Sequence, residues 1–304
     1  MLRGLYTAAS GLVTQQRRHD TITTNISNIQ TPGYKAQNTM VRSFPEMLLH
    51  LIGDEPASRA NSTIGTLHNG VYAEELVHQF MQGDLEQTGR PTDFALVSHM
   101  TEVDGTAYAF DASGQAVTED GDTLYQPQAF FAIEAGDGTQ RYTRNGQFQL
   151  TNEGMLVHAS GAPVLNRNGE SVVLGADAAG IAYTMDRVAV SEGGLLVDKA
   201  TGQAINDENG DPLALGIAQI NNPNELVLEG NGLYRLDSED AEVAFVADTS
   251  QVQVLQGYSE RSNVDAARSM VEMMEATRAY EANQKMIQFY DRSLEKTVSE
   301  IGRV

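Results

Sequence analysis

The six residues from Asp207 to Pro212, "DENGDP", set acids at alternate positions, the spacing with which a loop wraps a calcium ion in carboxylate oxygens. Pro212 stands where such a loop needs glycine, and no glutamate follows at the twelfth position, so the stretch reads as a turn. "GDGTQR", from Gly136 to Arg141, lacks the third glycine of a dinucleotide-binding loop and does not open a helical pattern. The six histidines, His19, His50, His68, His78, His99 and His158, never fall at the spacing that brings two imidazoles onto one helix face around zinc. No serine sits in a nucleophile-elbow motif, and the absence of cysteine removes thiolate nucleophiles, cysteine-type zinc sites and disulfides together. The residues therefore offer no catalytic, cofactor-binding or metal-binding set, and the chain reads as a protein that is not an enzyme and needs no cofactor.

At 304 residues and 41% hydrophobic, the chain is long enough for one large or two modest buried cores. No run of about 18 apolar residues exists to span a membrane. Arg3 precedes "GLYTAASGLV", but Gly, Ser, Thr and Tyr dilute that stretch and Gln15-Gln16-Arg17-Arg18 follows it, so a cleaved secretion signal is not expected. The formal net charge is −21, unevenly placed: residues 1–50 carry +3 and residues 258–304 carry −1, which leaves −23 on the middle. An acidic body of that kind repels nucleic acid phosphates and anionic lipid head groups. Neither nucleic acid nor a small-molecule substrate is an expected partner.

Leu5, Leu12, His19 and Ile26 lie seven apart, with Ala8, Gln15, Ile22 and Ile29 three residues on, which is a heptad seam weakened by two polar intrusions. At the other end Ala266, Met273, Tyr280, Ile287, Leu294 and Ile301 form an unbroken apolar column at the same spacing, flanked by Met270 and Val298. From about residue 262 onward there is no Pro, and no Gly before Gly302, so the pattern predicts a helix of roughly 40 residues. One seam is too little to hold so long a helix; its further neighbours are either the N-terminal helix in an intramolecular hairpin or other copies of the molecule. Pro32 disfavours helix at Thr31, and Pro32-Gly33 suits the centre of a type II turn, so the first helix must stop there, with Asn25 and Asn28 available to cap the exit.

Between the ends the pattern is β. Turn signals recur at Asn145-Gly146, Asn152-Glu153-Gly154, Ser160-Gly161 and Asn168-Gly169, and continue at Gly193-Gly194, Asn209-Gly210 and Asn231-Gly232. Asn145-Gly146, between "RYTR" and "QFQL", predicts a hairpin with a type I′ turn. The expected fold class is α+β: long N- and C-terminal helices forming a coiled-coil domain, plus an all-β, barrel- or sandwich-like body. The expected division is a coiled-coil inner domain from residues 1–30 and 262–304, an extended or irregular connector over 31–80, and a β-rich outer domain over 81–257.

"SGL" (Ser10 to Leu12) with "NISNIQTPGYK" (Asn25 to Lys35) resembles the N-terminal signature of the flagellar rod and hook family. "MQGDLEQTGRPTDFAL" (Met81 to Leu96), "RYTRNGQFQLTNEGMLV" (Arg141 to Val157) and "VLQGYSERSNVDAARSMVEMMEATRAYEANQKMI" (Val254 to Ile287) resemble further family segments, in family order. "RAYEANQKMI" is closer to the distal rod type than to the proximal types. The family departs from this chain over about 99–128, where an acidic stretch with Asp104, Asp111, Glu119, Asp120 and Asp122 precedes "AFFAI". The resemblance implies a structural subunit of the basal-body rod that self-assembles into a hollow helical tube and transmits torque. It also implies other rod and hook axial proteins and the flagellar type III export apparatus as partners, and export without a cleaved signal. Its interface residues would be Leu5, Leu12, Ile22, Asn25, Ile26, Asn28, Pro32, Gly33, Tyr34, Met273, Tyr280, Asn283, Ile287 and Leu294. The alternatives are a hook or hook-associated axial protein, and a secreted β-rich adhesin or carbohydrate-binding module with oligomerising helices.

Overall fold

A computed structural model describes residues 2–302 except 51–62, 68, 99, 101, 104–105, 112–113, 119–120, 122, 176–179, 208–209, 238–242 and 247–250. The chain forms two units, one from residues 1–27, 37–78 and 264–304, the other from residues 28–36 and 79–263. Four of the acidic residues noted in the 99–128 stretch, Asp104, Glu119, Asp120 and Asp122, lie outside the described residues.

The first unit contains α1 (Leu2–Ser27), β1 (Gln37–Ser43), β2 (Met47–His50), β3 (Thr63–Leu67), β4 (Val71–His78) and α2 (Ala266–Ile301). Asp265 starts α2 as a cap, its carboxylate accepting from the N–H groups of Ala267 and Arg268. Strands β1 and β4 pair antiparallel, as do β2 and β3. Helix α1 packs against α2 with one side, and bonds the β1–β4 ribbon with another. There Thr14 Oγ1 donates to Val71 O (3.4 Å), Arg17 donates to Ala73 O (3.1 Å), and Thr21 Oγ1 meets Thr39 Oγ1 (2.8 Å). Asn25 closes the series by both donating to and accepting from the backbone of Gln37 (2.8 and 2.9 Å).

This corrects the expected fold class at its first half. The two helices do not make a coiled-coil domain; they belong to a mixed unit with four strands. The physical reason is a stripe on α1, Ser10, Thr14, Arg17, Thr21 and Asn25, whose three- and four-residue spacing puts it on one side of the helix. Thr14, Thr21 and Asn25 are buried because the ribbon satisfies their polar atoms.

The second unit holds β5 (Leu85–Gln87), β6 (Phe94–Ser98), β7 (Glu102–Val103), β8 (Thr106–Ala107), β9 (Gln115–Val117), β10 (Thr123–Tyr125), β11 (Gln128–Glu134), β12 (Gln140–Thr143), β13 (Phe148–Leu150) and β14 (Leu156–His158). It continues with β15 (Val188–Val190), β16 (Leu196–Asp198), β17 (Ile217–Ile220), β18 (Leu226–Gly230), β19 (Leu233–Leu236), β20 (Ala244–Phe245), β21 (Val252–Gln256) and β22 (Tyr258–Glu260). Six strands form one antiparallel sheet in the order β18-β19-β12-β11-β17-β20, and the other strands make two-stranded ribbons. The expected barrel or sandwich is therefore also corrected: among the described residues one open sheet carries several small ribbons. Strand β11 shows why that sheet is central. Residues Ala129 to Ile133 are all fully buried, with Phe131 and Ile133 in one apolar cluster and Phe130 in another on the opposite face. A strand covered on both faces must be apolar throughout.

The hairpin expected at Asn145-Gly146 is not formed. Strand β12 pairs with β11 and β19, and β13 pairs with β14. The Phe94 N–H donates to Gly146 O (2.9 Å), so this Asn-Gly lies against another strand's backbone instead of turning between its neighbours. Asn231-Gly232 does make such a turn, with φ of 52° and 73°, between the paired strands β18 and β19.

Residues 148–174 and 188–215 are two copies of one β unit. "FQLTNEGMLVHASGAPVLNRNGESVVL" aligns with "VAVSEGGLLVDKATGQAINDENGDPLAL" across one inserted residue. The registers match position for position: Phe148, Gln149 and Leu150 face His158, Val157 and Leu156, as Val188, Ala189 and Val190 face Asp198, Val197 and Leu196. The longer bonds repeat as well. Leu156 N donates to Val172 O as Leu196 N donates to Leu213 O, and Val164 N to Leu156 O as Ile205 N to Leu196 O, all at 2.9 Å. The same places are buried in both copies: Leu156 and Leu196, Val164 and Ile205, Val172 and Leu213, Leu174 and Leu215.

The first turn of each copy rests on a left-handed glycine, Gly154 (φ 80°) and Gly194 (φ 79°). A Cβ at Gly154 would overlap the carbonyl of Leu174, whereas one at Gly194 would come no closer than 3.2 Å to any atom, the terminal Cδ1 of Ile217, with Val254 and Leu215 at ordinary contact distance. Gly194→Ala is expected to cost about 1 kcal/mol, the ordinary penalty of that backbone region, and Gly154→Ala more. Thermal melting of the two variants checks this ranking.

Candidate functional site

Two features could do work: an apolar surface on the helical unit, and a buried ionic junction in the β unit. On α2, Met270, Val271, Met274, Met286 and Phe289 are between 49% and 67% exposed. At 3.6 residues per turn they share one side of the helix, away from the column of Met273, Ala276, Tyr280, Asn283, Ile287 and Tyr290. Within that column Ala276 is fully buried and the others are half-buried. Gly11 of α1 lies against the Asn283 side chain, and Gly4 against Tyr290, so the two helices run in opposite directions. With 26 and 36 residues, α1 and α2 are about 39 and 54 Å long. The last turns of α2 thus run on past the start of α1, and Val298 is 71% exposed. Met40, Val41, Met47, Leu48 and Leu76 add exposed apolar side chains on the strands of the same unit. An apolar side exposed along a helix in this way is the kind of surface on which a protein partner packs.

The junction is built from three charges drawn from distant parts of the sequence. Lys35 Nζ bonds Glu260 Oε1 at 2.6 Å, and Arg144 Nε stands 3.1 Å from Glu260 Oε2; all three side chains have 1% exposure or less. The excess positive charge is met by oxygens. Lys35 also donates to Met81 O (2.7 Å) and Arg144 to Ala129 O (2.6 Å). Gly83 N donates to Glu260 Oε1 at 2.9 Å. Burial pushes the Lys35 ammonium down, repulsion from Arg144 adds to this, and Glu260 opposes both, for a value lowered from 10.5 to about 8. Burial alone would push the Glu260 carboxyl up, but the Arg144 and Lys35 charges outweigh it and hold the group below its ordinary value. At neutral pH the junction is one carboxylate shared by two cations.

The fourteen residues predicted from sequence fall into both units. Leu5, Leu12, Ile22, Asn25 and Ile26 lie on α1, and Met273, Tyr280, Asn283, Ile287 and Leu294 on α2. Ile22 and Asn25 are buried and the other eight half-buried. Asn28, Pro32, Gly33 and Tyr34 belong instead to the β unit. Asn28 caps its own turn, its backbone carbonyl accepting from Thr31 N and its side chain from Thr31 Oγ1, both at 3.1 Å. Gly33 has φ of 69° and donates its N–H to Glu260 O (2.8 Å), and Tyr34 is buried, its phenol pushed up to about 12 by that burial. Lys35, Arg144, Glu260 and Asn263 all lie inside the family motifs quoted from the sequence, but none of them was given a role there. A charged residue reads as solvated unless its partner is known, and the three charges lie over 100 residues apart.

Three stretches of the chain match known family descriptions: residues 5–35 "Flagella basal body rod protein", residues 125–210 "Flagellar hook protein FlgE/F/G D1 domain", and residues 255–300 "Flagellar basal body rod FlgEFG protein C-terminal". The chain is 34% identical, over the whole of both chains, to the flagellar hook-basal body complex protein FlhO of Bacillus subtilis. It belongs to the flagellar basal-body rod and hook family. Two other members of that family are the flagellar basal-body rod proteins FlgG of Borreliella burgdorferi, 30% identical with 97% of each chain covered, and of Bacillus subtilis, 30% identical with 98% of this chain and 99% of the relative covered. The matched N-terminal stretch contains Lys35, and the matched C-terminal stretch contains Glu260 and Asn263.

His78, at the end of β4, supplies a pH test within the helical unit. Its ring meets the Gln37 side chain at 2.9 Å, beside the Asn25 bonds, and burial lowers its value from 6.5 to about 4. The unfolded chain therefore binds more protons than the folded one between those values. The resulting stability is complete above about pH 6.5 and is lost as the pH falls toward 4, amounting to at most about 3 kcal/mol. His78→Gln is expected to flatten the pH dependence of unfolding between pH 4.5 and 7, as read from denaturant titrations.

Proposed function

We propose that this protein is a structural subunit of the bacterial flagellar rod, held in the basal body and built into an axial assembly with copies of itself and with other flagellar axial components. Its working part is the helical unit, in which Leu5, Leu12, Ile22, Ile26, Met273, Tyr280, Ile287 and Leu294 hold the two helices while the outer side of α2 faces neighbouring subunits. The observation that carries this reading is the apolar side of α2 with its overhanging last turns, in a chain similar along its full length to hook-basal body proteins. A helix of 36 residues with Met270, Met274 and Phe289 in water gains by burying them against a neighbour, at about 1.5–3 kcal/mol for each side chain fully covered. The role is mechanical rather than catalytic: copies stack into a hollow tube and carry torque. The acidic β unit faces outward, and the protein leaves the cell through the flagellar export route with its N-terminus intact.

Phe289→Asp tests the proposal without disturbing the fold. Phe289 is 67% exposed, so its replacement is expected to shift monomer stability by no more than about 0.5 kcal/mol. A charge buried in a subunit contact, by contrast, costs several kcal/mol. Cells carrying the variant as their only copy are expected to lose motility and to yield basal bodies with truncated rods in electron micrographs. Normal rods and normal swimming would contradict the proposal.

A further inference from the structure

The β unit is left by the chain at residue 36, re-entered at residue 79, and left again at residue 263. These positions are far apart in sequence, yet their backbones are tied together inside the β unit. Gln79 N donates to Ala36 O (2.8 Å). Asn263 spans both: its Oδ1 accepts from Ala36 N (2.7 Å), and its Nδ2 donates to Gln79 O (2.7 Å) and Met81 O (3.2 Å). Behind Asn263 lies the buried triad, which ties the same three stretches again, through Lys35 to Met81 O and through Glu260 Oε1 to both Lys35 and Gly83 N. Gly33 N to Glu260 O (2.8 Å) and Arg261 N to Asp84 O (2.9 Å) complete the set.

We propose that Asn263 and the Lys35–Glu260–Arg144 triad form a single clamp that gathers three of the four points at which the chain enters or leaves the β unit, so that residues 33–36, 79–84 and 260–263 lock and open together and never singly. The bonds are arranged so that no one stretch can leave alone. Lifting 33–36 strips Glu260 of the Lys35 cation, and lifting 260–263 leaves Lys35 and Arg144 as buried like charges with their carboxylate removed. Freeing 79–84 unties the Met81 carbonyl from Lys35 and the Gly83 N–H from Glu260. Each such opening exposes a buried charge or polar group without its partner, which is the costly case in a protein interior. In a subunit that carries mechanical load, the clamp makes a shape change arriving along any one of the three strands of chain act on all three at once.

Amide hydrogen exchange on the full-length monomer, read by peptides covering 31–37, 79–84 and 258–263, tests this. Two variants weaken the clamp from different sides: Lys35→Met, which leaves Arg144 and Glu260 as a matched pair, and Asn263→Ala, which alters no charge. Each is expected to speed exchange at least tenfold in all three peptides together, leaving β11 protected. Arg141→Met, which removes a peripheral ion pair with Glu229, serves as the control and should alter none of them. Faster exchange confined to the peptide bearing the substitution would overturn the proposal. So would loss of protection that spreads to β11, because the clamp would then not be a separable cooperative unit.

Discussion

Glu260 is a carboxylate with no exposed surface, placed between a lysine and an arginine that are themselves sealed from water. Removing three charges from water is expensive, and the opposite charges offset that cost together with backbone oxygens that accept from the cations, Met81 O from Lys35 and Ala129 O from Arg144. The need to keep these three charges together fixes more than the triad. It holds the segment after α1, the segment after β4 and the strand before α2 at one place in the β unit, and it ties them to β11 at the centre of the main sheet through Arg144. A hydrophobic contact in the same position could have stabilised the unit as well. It could not have specified direction and partner so narrowly, because a buried ion has few acceptable surroundings.

The helical unit solves a different problem with weaker interactions. Helix α1 is not apolar enough to bury itself on one seam, and divides its surface between the half-buried side of α2 and a polar stripe bonded to the β1–β4 ribbon. Helix α2 keeps an uncovered apolar side and an unmatched end. These are the features expected of an element whose final partners are supplied on assembly, and they stand in contrast to the β unit, where both faces of β11 are closed. One unit is finished within the single chain. The other is left with surface to spend.

What could be read in the sequence follows the range of each signal. Helices α1 and α2 stand where apolar residues recur at helical spacing, but spacing alone does not say what a helix packs on. Asn25 was read as a cap of the helix exit, yet with Thr14 and Thr21 it is buried against the ribbon, and the coiled-coil reading failed there. Turn residues marked the β body well because Gly and Asn act locally: Asn231-Gly232 and Gly154 turn as their types demand. Asn145-Gly146 misled because its backbone is claimed by Phe94, a tertiary contact with no local trace. The doubled β unit was legible in principle, since Leu156, Val164, Val172 and Leu174 recur as Leu196, Ile205, Leu213 and Leu215, but only to a comparison of the chain with itself. The junction was not legible. Lys35, Arg144 and Glu260 look like surface charges until the fold brings them together, although Gly33 and Tyr34, which the family resemblance did point to, are its immediate neighbours.

The most direct measurement is a double-mutant cycle on the two cations, Lys35→Met and Arg144→Met, followed by chemical denaturation. Each single change leaves Glu260 with one matched partner, whereas the pair leaves a buried carboxylate with none. The double variant is expected to lose more stability than the two single losses combined, by well over the ~1 kcal/mol of an exposed ion pair. Additivity within about 0.5 kcal/mol would show that the two cations do not share one carboxylate, and would contradict this.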